Sequence, residues 1–135
     1  MTPKKPATKN VEKSFYSNFM QRAQECFHAA QYSFNAKEWT AAAISAIHAT
    51  IAGCDAMCVY FIGQRSTGES HNEAITLFKS IGDKKEISTN ANRIAQVIRI
   101  KNIAEYEKRL ISKSEAERIM KDCKRFLEFV KAELP

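Results

Sequence analysis

The stretch "RIKNIAEYE", from Arg99 to Glu107, gathers two cations, an amide, two carboxylates and a phenol near the end of an otherwise aliphatic helical pattern. The cations could hold an anion, whereas a phenol is a poor base at neutral pH because it titrates near pH ~10. We therefore expect a structured corner that binds an anion, with little or no catalysis, although a purely structural helix end explains the same residues. The candidate site residues here are Arg99, Lys101, Asn102 and Tyr106.

A second group of polar residues lies on the most apolar segment of the chain. His48 and Asp55 are seven residues apart, which places them two turns apart on one side of a helix. A carboxylate inside an apolar helix should have a cationic partner, because an unpaired buried charge costs several kcal/mol. We expect Arg99 or Lys101 to be that partner. His48 and Asp55 are candidate catalytic residues, and the alternative for His48 is a hydrogen-bonded core or interface histidine.

The polar stretch "GQRSTGES", residues 63–70, is the clearest predicted loop and leads into a short helix. Arg65 lies in this loop, and His71 lies in the first turn of the helix, where backbone N–H groups favour an anion. These two residues form a second candidate anion-binding site. The alternative for His71 is an ordinary surface residue at a helix start.

The composition favours a single helical domain. The chain has 135 residues, of which 44% are hydrophobic, but only 4 Gly and 3 Pro. This balance suits an all-α fold better than a turn-rich β fold. The four cysteines lack paired zinc spacing, so we interpret them as reduced core thiols and expect neither a metal nor a cofactor. They are Cys26, Cys54, Cys58 and Cys123.

Apolar residues recur at helical spacing in five segments, which predict an antiparallel up-and-down bundle of four long helices and one short helix. The central helix should run from about Ala36 to Gly63, with Asn35 as its N-cap, and is apolar on two faces. The fourth helix should end or bend within residues 99–102, because Ile100 leaves the preceding apolar stripe. Capping boxes should start the short helix at Ser70 with Glu73 and the last helix at Ser114 with Glu117.

The net charge of +6 permits an anionic partner without requiring one. Residues 1–10 read as a flexible basic tail, and residues 11–135 as one domain. No uncharged run approaches the ~20 residues that span a bilayer, and the Lys-rich start lacks the apolar core of a signal peptide. We therefore expect a cytoplasmic protein that does not contact a membrane.

Three stretches resemble the HEPN superfamily of small helical-bundle domains: "AAAISAIHATIAGCDAM", "SHNEAITLF" and "KNIAEYEKRLISKSEAERIMKDCKRFLEFV". The resemblance covers about residues 11–134 and implies a homodimer. We expect that dimer to use the corner after Arg99 or part of the central helix, where Ala42, Ala46 and Ala49 are small.

Many superfamily members are metal-independent RNases of toxin–antitoxin, CRISPR and related defence systems, and others are non-catalytic companions of nucleotidyltransferases. The resemblance therefore implies RNA or a nucleotide as ligand, and a nucleotidyltransferase or an antitoxin as protein partner. The catalytic signature is an Arg followed after four to six residues by a His, commonly with a polar residue directly after the Arg.

This sequence departs from that signature. Six residues separate Arg99 from Tyr106, which stands where the His is expected. Lys101 and Asn102 give a second match that is also degenerate. The family chemistry uses the substrate's own 2′-hydroxyl and needs a proton-transferring group that titrates near neutral pH. We therefore expect an RNA-associated or partner-binding module with a degenerate RNase motif. The alternatives are an active RNase and a bundle that only mediates protein association.

Overall fold

The computed structural model describes residues 7–67 and 71–135, with the side chain of His71 outside the description. Within these residues the chain forms five α-helices, one short 3-10 helix and two short strands. In chain order the elements are β1 Thr8–Asn10, the 3-10 helix Lys13–Phe15, α1 Tyr16–Asn35, α2 Trp39–Ile62, β2 Gln64–Ser66, α3 His71–Lys79, α4 Lys85–Tyr106 and α5 Lys113–Glu133. The predicted all-α bundle of four long helices and one short helix is confirmed.

Helix α2 lies at the centre of the bundle and contacts α1, α3, α4 and α5. Its small side chains let these neighbours approach closely, and Ala42, Ala46 and Ala49 are fully buried. At Gly53 a built Cβ would lie 2.8 Å from Leu127 Cδ2 of α5. By length and composition α2 is the one described helix that could cross a membrane, but 78% of its apolar window is buried inside the bundle. The predicted role of α2 as the central core helix is confirmed.

The predicted apolar stripes of α1 and α5 lie largely in the core, although Phe15, the first residue of the predicted α1 stripe, is 47% exposed. Phe19, Ala23 and Ala30 are the buried residues of α1. Cys123 and Leu127 are buried on α5, as their spacing predicted. The two long helices at the ends of the domain therefore bury the faces that their apolar period indicates.

Helix α4 continues without interruption to Tyr106, so the prediction that it ends within residues 99–102 is wrong. The stripe that contains Ile98 does not stop there; it continues one turn later with Lys101, and both side chains line the same cavity. Ile103 belongs to a second stripe, which lines a cavity between α4 and α5. The apparent break in the apolar pattern therefore reflects two stripes of α4 that line two different cavities.

Two predicted helix starts are displaced. Asn35 is the last residue of α1, and the N-cap of α2 is Glu38, three residues after the predicted cap, with no side-chain cap bond. The capping box of α5 is formed by Ser112 and Glu115, two residues before the predicted one. The predicted cap of α3 lies outside the described residues.

Strand β1 pairs antiparallel with β2, with Thr8 opposite Ser66 and Lys9 opposite Arg65. The ladder is extended by Val11, whose backbone N–H donates to a carbonyl 2.9 Å away just after α2. Residues 8–10 of the predicted flexible tail and residues 64–66 of the predicted loop are therefore paired strands. The first six residues of the predicted tail lie outside the described part of the chain.

The corner between α4 and α5 is fixed by polar contacts to both sides. Both terminal nitrogens of Arg109 donate to the Glu115 carboxylate at 2.8 Å, and these bonds help to lower the pKa of Glu115 to about 2. The backbone N–H of Ile111 donates to Thr40 Oγ1 at 2.9 Å. The second contact ties this corner to the first turn of α2.

Candidate ligand-binding cavity

A cavity of about 240 Å³ lies between α2 and α4 and is bordered by β2 and α3. Its lining combines aliphatic side chains with a carboxylate, two cations and two hydroxyls. The lining residues are Ile51, Cys54, Asp55, Arg65, Ser66, Thr67, Ala74, Ile94, Ile98 and Lys101. We call it the α2–α4 cavity. Three of the residues singled out from the sequence, Asp55, Arg65 and Lys101, meet here.

Asp55 contributes a largely buried carboxylate, with 11% of its side chain exposed. Its Oδ2 lies 3.9 Å from Arg65 Nε. The prediction that Arg99 or Lys101 pairs with Asp55 is wrong, since Lys101 lies 4.0 Å from Glu105 and Arg99 lines a different cavity. The sequence argument required a cation but could not choose it, because the loop that carries Arg65 had no predicted position.

Burial raises the pKa of Asp55 to about 6, although the Arg65 and Arg22 guanidinium groups act in the opposite direction. Desolvation therefore outweighs the two nearby cations. The carboxyl group changes its charge close to neutral pH, which is uncommon for an aspartate. A group that is both partly desolvated and near neutral in its titration is typical of functional sites.

Arg65 is held in place from two directions. Its backbone is part of β2, and the pairing of β2 with β1 fixes the register of this segment. Its guanidinium carbon lies 5.3 Å from the centroid of the Phe19 ring, and Arg22 lies 5.2 Å from the same ring. These contacts are in the range of cation–π interactions. The side chain is therefore positioned before any ligand arrives.

Two donors of this segment are buried without a partner. Arg65 Nε and Ser66 Oγ have no hydrogen-bond partner among the described residues. The 3.9 Å between Arg65 Nε and the Asp55 carboxylate is too long for a hydrogen bond. Buried polar groups are normally satisfied, so these two donors are exceptions among the described side chains.

Lys101 connects the α2–α4 cavity with a second polar cluster on the surface. Its Nζ lies 4.0 Å from Glu105 Oε2, and the other oxygen of Glu105 lies 3.7 Å from His48 Nε2. His48 is 55% exposed, so it is neither a core histidine nor a residue of the Asp55 environment. We call these three residues the His48 cluster.

The candidate motif of α4 is divided between two faces. Arg99 and Lys101 are two positions apart, about 200° around a helix, and they line different cavities. Asn102 is exposed, and Tyr106 is 75% exposed at the last residue of α4. The structure therefore brings Lys101 to Asp55 and Arg65, and leaves Arg99, Asn102 and Tyr106 outside that group.

The remaining candidates have a simpler position. His71 is the first residue of α3, and its side chain lies outside the described part. Cys54, Cys58 and Cys123 are buried, whereas Cys26 is partly buried. Burial raises the pKa of Cys123 to about 12, and a hydrogen bond from the Cys54 thiol to Cys58 together with burial raises the pKa of Cys54.

The interpretation of the cysteines as reduced core thiols fits these environments. The described residues contain no group of three or more His, Cys, Asp or Glu side chains that could hold a metal ion.

Ser66, Thr67 and Glu105 were not predicted as site residues from the sequence. One signal could have found the α4 side of the cavity. Ile94, Ile98 and Lys101 follow the i, i+4, i+7 spacing of one helix face, so a lysine that ends an aliphatic stripe indicates a polar patch at the edge of the core.

The sequence matches the family model described as HEPN domain over residues 16–133, which spans all five α-helices. No curated protein matches the chain. The family match includes α2 and α4, which form the two long walls of the α2–α4 cavity, and β2, which carries its arginine. The chain belongs to the HEPN domain family.

Proposed function

We propose that this HEPN domain is an RNA-associated module that binds RNA at the α2–α4 cavity and cleaves it slowly or not at all. The observation that carries the proposal is the meeting of two cations, Arg65 and Lys101, in one cavity that also contains the hydroxyl-bearing residues Ser66 and Thr67. Tyr106, which stands where the family signature has a histidine, lies on the exposed end of α4 and lines no part of that cavity. The cavity thus offers cations that can bind an anion, whereas the residue at the histidine position of the signature lies outside it and cannot transfer a proton there.

The charge around the cavity supports an anionic polymer as ligand. Lys9 lies opposite Arg65 in the strand ladder, and Arg22 lies beside the same aromatic ring. The whole chain carries a net charge of +6. Contacts from such residues to phosphates release counterions, so the affinity for RNA should fall as the salt concentration rises.

An active RNase is the second candidate, and the His48 cluster favours it. His48 lies beside Glu105, which also contacts Lys101, so an imidazole stands near a phosphate-binding cation. An imidazole is the group that general acid–base chemistry needs near neutral pH. If the protein cleaves RNA, we propose His48 rather than Tyr106 as the proton-transferring group.

A single set of variants separates these two functions. Labelled RNA is incubated with the protein in chelator and analysed on a gel, and binding is followed by filter titration over a range of salt. The proteins compared are the wild type, Lys101→Ala, His48→Ala and Lys124→Ala. Lys124 is the matched control, because it lines a different cavity, between α1 and α5. We expect little cleavage by any of them, and weaker salt-sensitive binding for Lys101→Ala alone. Strong cleavage that His48→Ala abolishes would overturn the non-catalytic proposal.

HEPN domains commonly dimerise and pair with nucleotidyltransferases. We propose a cytoplasmic homodimer here, with a nucleotidyltransferase or an antitoxin as a further partner. The small residues Ala42, Ala46 and Ala49 of the central helix do not form this interface, because they are fully buried within the bundle. The other predicted surface is the corner between α4 and α5, where 75% of Tyr106 and 77% of Leu110 are exposed. Light scattering of the wild type and Leu110→Ser tests this surface, and a wild type of only 15.3 kDa would contradict the homodimer.

A further inference from the structure

We infer that the α2–α4 cavity binds a guanine base, with the Asp55 carboxylate on its N1–H and N2–H donors and Arg65 on its O6 and N7 acceptors. This inference rests on the proposed RNA association and names the part of the RNA that the cavity reads. It assigns a base-recognition role to two residues that are far apart in the sequence and adjacent in the fold.

The pairing of charges selects the base. Asp55 offers only acceptors when ionised, and Arg65 offers only donors. Their charged atoms lie 3.9 Å apart, so a ligand that satisfies both must present donors next to acceptors. Guanine does this, because its N1–H and N2–H₂ donors adjoin its O6 and N7 acceptors, and arginine is a common partner of the latter. Uracil has an N3–H donor beside O4 but offers the carboxylate only this one donor and has no N7. Cytosine also lacks an N7, and adenine presents an acceptor at N1, where guanine has a donor.

The cavity walls suit a flat ring. Ile51, Ile94 and Ile98 supply aliphatic surface, and Ser66 and Thr67 add hydroxyls at the side of Arg65. The volume of about 240 Å³ is below the ~300 Å³ at which cavities for drug-sized ligands begin. A single base therefore fits better than a larger part of an RNA chain.

A bare phosphate fits the same cavity poorly. It would enter beside the Asp55 carboxylate, which is 11% exposed and has little solvent to screen the repulsion. Lys101 lines the same cavity, but its Nζ lies 4.0 Å from the Glu105 carboxylate, and its side chain is 20% exposed. We therefore place the phosphate of a bound nucleotide at Lys101 and the neutral base between Asp55 and Arg65.

Calorimetric titration of the full chain with nucleotides tests the inference. The probes are GMP, IMP, AMP, CMP, UMP and ribose 5-phosphate at pH 7.5. We expect GMP to bind about tenfold more tightly than AMP, CMP and UMP, since a bidentate base contact is worth ~1–3 kcal/mol. IMP, which lacks the N2 amino group, should fall between them. Equal binding of all nucleotides, or ribose 5-phosphate as tight as GMP, would overturn the guanine assignment.

Two variants and a control tie the result to the site. Asp55→Asn should reduce GMP binding about tenfold and leave ribose 5-phosphate unchanged, whereas Lys124→Ala should change neither. Circular dichroism confirms that each variant is folded, and Asp55→Glu provides a second carboxylate if the amide variant is not. Unchanged GMP binding by Asp55→Asn would overturn the assignment.

The RNA proposal is tested separately with an oligonucleotide that contains no guanine. Salt-sensitive binding of that oligonucleotide without a preference for GMP would retain the RNA association and reject the guanine site. A preference for GMP without binding of any oligonucleotide would retain the base site and reject the RNA proposal.

Discussion

The Arg65 guanidinium lies 3.9 Å from the Asp55 carboxylate, within ion-pair range but beyond hydrogen-bonding distance. The two groups come from different elements, α2 and β2, and both line the α2–α4 cavity. Each therefore keeps hydrogen-bonding capacity that the other does not use. Because burial still dominates the titration of Asp55, this ion pair costs stability at neutral pH.

The first prediction concerns that cost. The folded pKa of Asp55 is raised from 3.8 to about 6, so the native state binds the extra proton and stability falls as pH rises between these values. Asp55→Asn should therefore increase the free energy of unfolding by up to about 3 kcal/mol at pH 7 and by little at pH 4. Urea denaturation at both pH values measures this, with exposed Asp83→Asn as control. A destabilised Asp55→Asn at pH 7 would contradict it.

The second prediction concerns ligand binding and pH. Guanine recognition requires an ionised Asp55, whose pKa is about 6 in the free protein. The affinity for GMP should rise with pH through 6 and level off above 7, and should be about tenfold weaker at pH 5 than on the plateau. Calorimetry at several pH values measures the profile. Asp55→Asn should give a weak, flat profile, and the same rise in that variant would assign the titration to another group.

The third prediction concerns the contact between α2 and α5. A Cβ at Gly53 would lie 2.8 Å from Leu127 Cδ2 and 3.1 Å from Phe126 Cε2, so both side chains must move. Gly53→Ala should cost about 1–2 kcal/mol, because overpacking outweighs the gain in helix propensity. Gly82→Ala is the control, since a Cβ there meets no described atom within 4 Å. Thermal unfolding compares the two variants. Equal melting temperatures would show that the side chains of α5 move aside without a cost in stability.

The fourth prediction concerns the corner between α4 and α5. Ile111 is 3% exposed, and its N–H donates to Thr40 Oγ1 at 2.9 Å. Thr40→Val leaves this buried donor without a partner and should cost about 1–3 kcal/mol. Thr40→Ser keeps the hydroxyl and should lose less. Urea denaturation of both variants measures the difference, and equal losses would mean that the methyl group matters rather than the hydrogen bond.

The helices and the core were predictable from the sequence because both depend on local periodicity. The central position of α2 follows from an apolar pattern on two faces, and its burial confirms it. The end of α4 was not predictable in this way, since Lys101 continues a stripe that an apolar count treats as broken. The capping box at Ser112 was misplaced because the neighbouring Ser114 offers the same spacing.

The site was predictable only in part, because its parts meet through tertiary contacts. The carboxylate of Asp55 predicted a cationic partner, but Arg65 was predicted only as an anion-binding residue of a loop. The pairing of β1 with β2, which places residue 65 opposite residue 9, fixes the position of the cation that pairs with Asp55. Pairing between such distant and weakly patterned segments leaves no periodic signal. Charge complementarity alone could not choose among three cations.

The strand ladder also has a consequence for the order of folding. The helical hairpin of α1 and α2 closes over a few residues, whereas the Asn10–Gln64 contact spans 54. Loop-closure entropy makes such a distant contact slow to form, and an isolated two-stranded ladder is marginally stable. The chain therefore acquires its helical core first and positions Arg65 last. In native-state hydrogen exchange the ladder amides should open well before those of α2, so the base-reading half of the cavity assembles and disassembles on a folded scaffold.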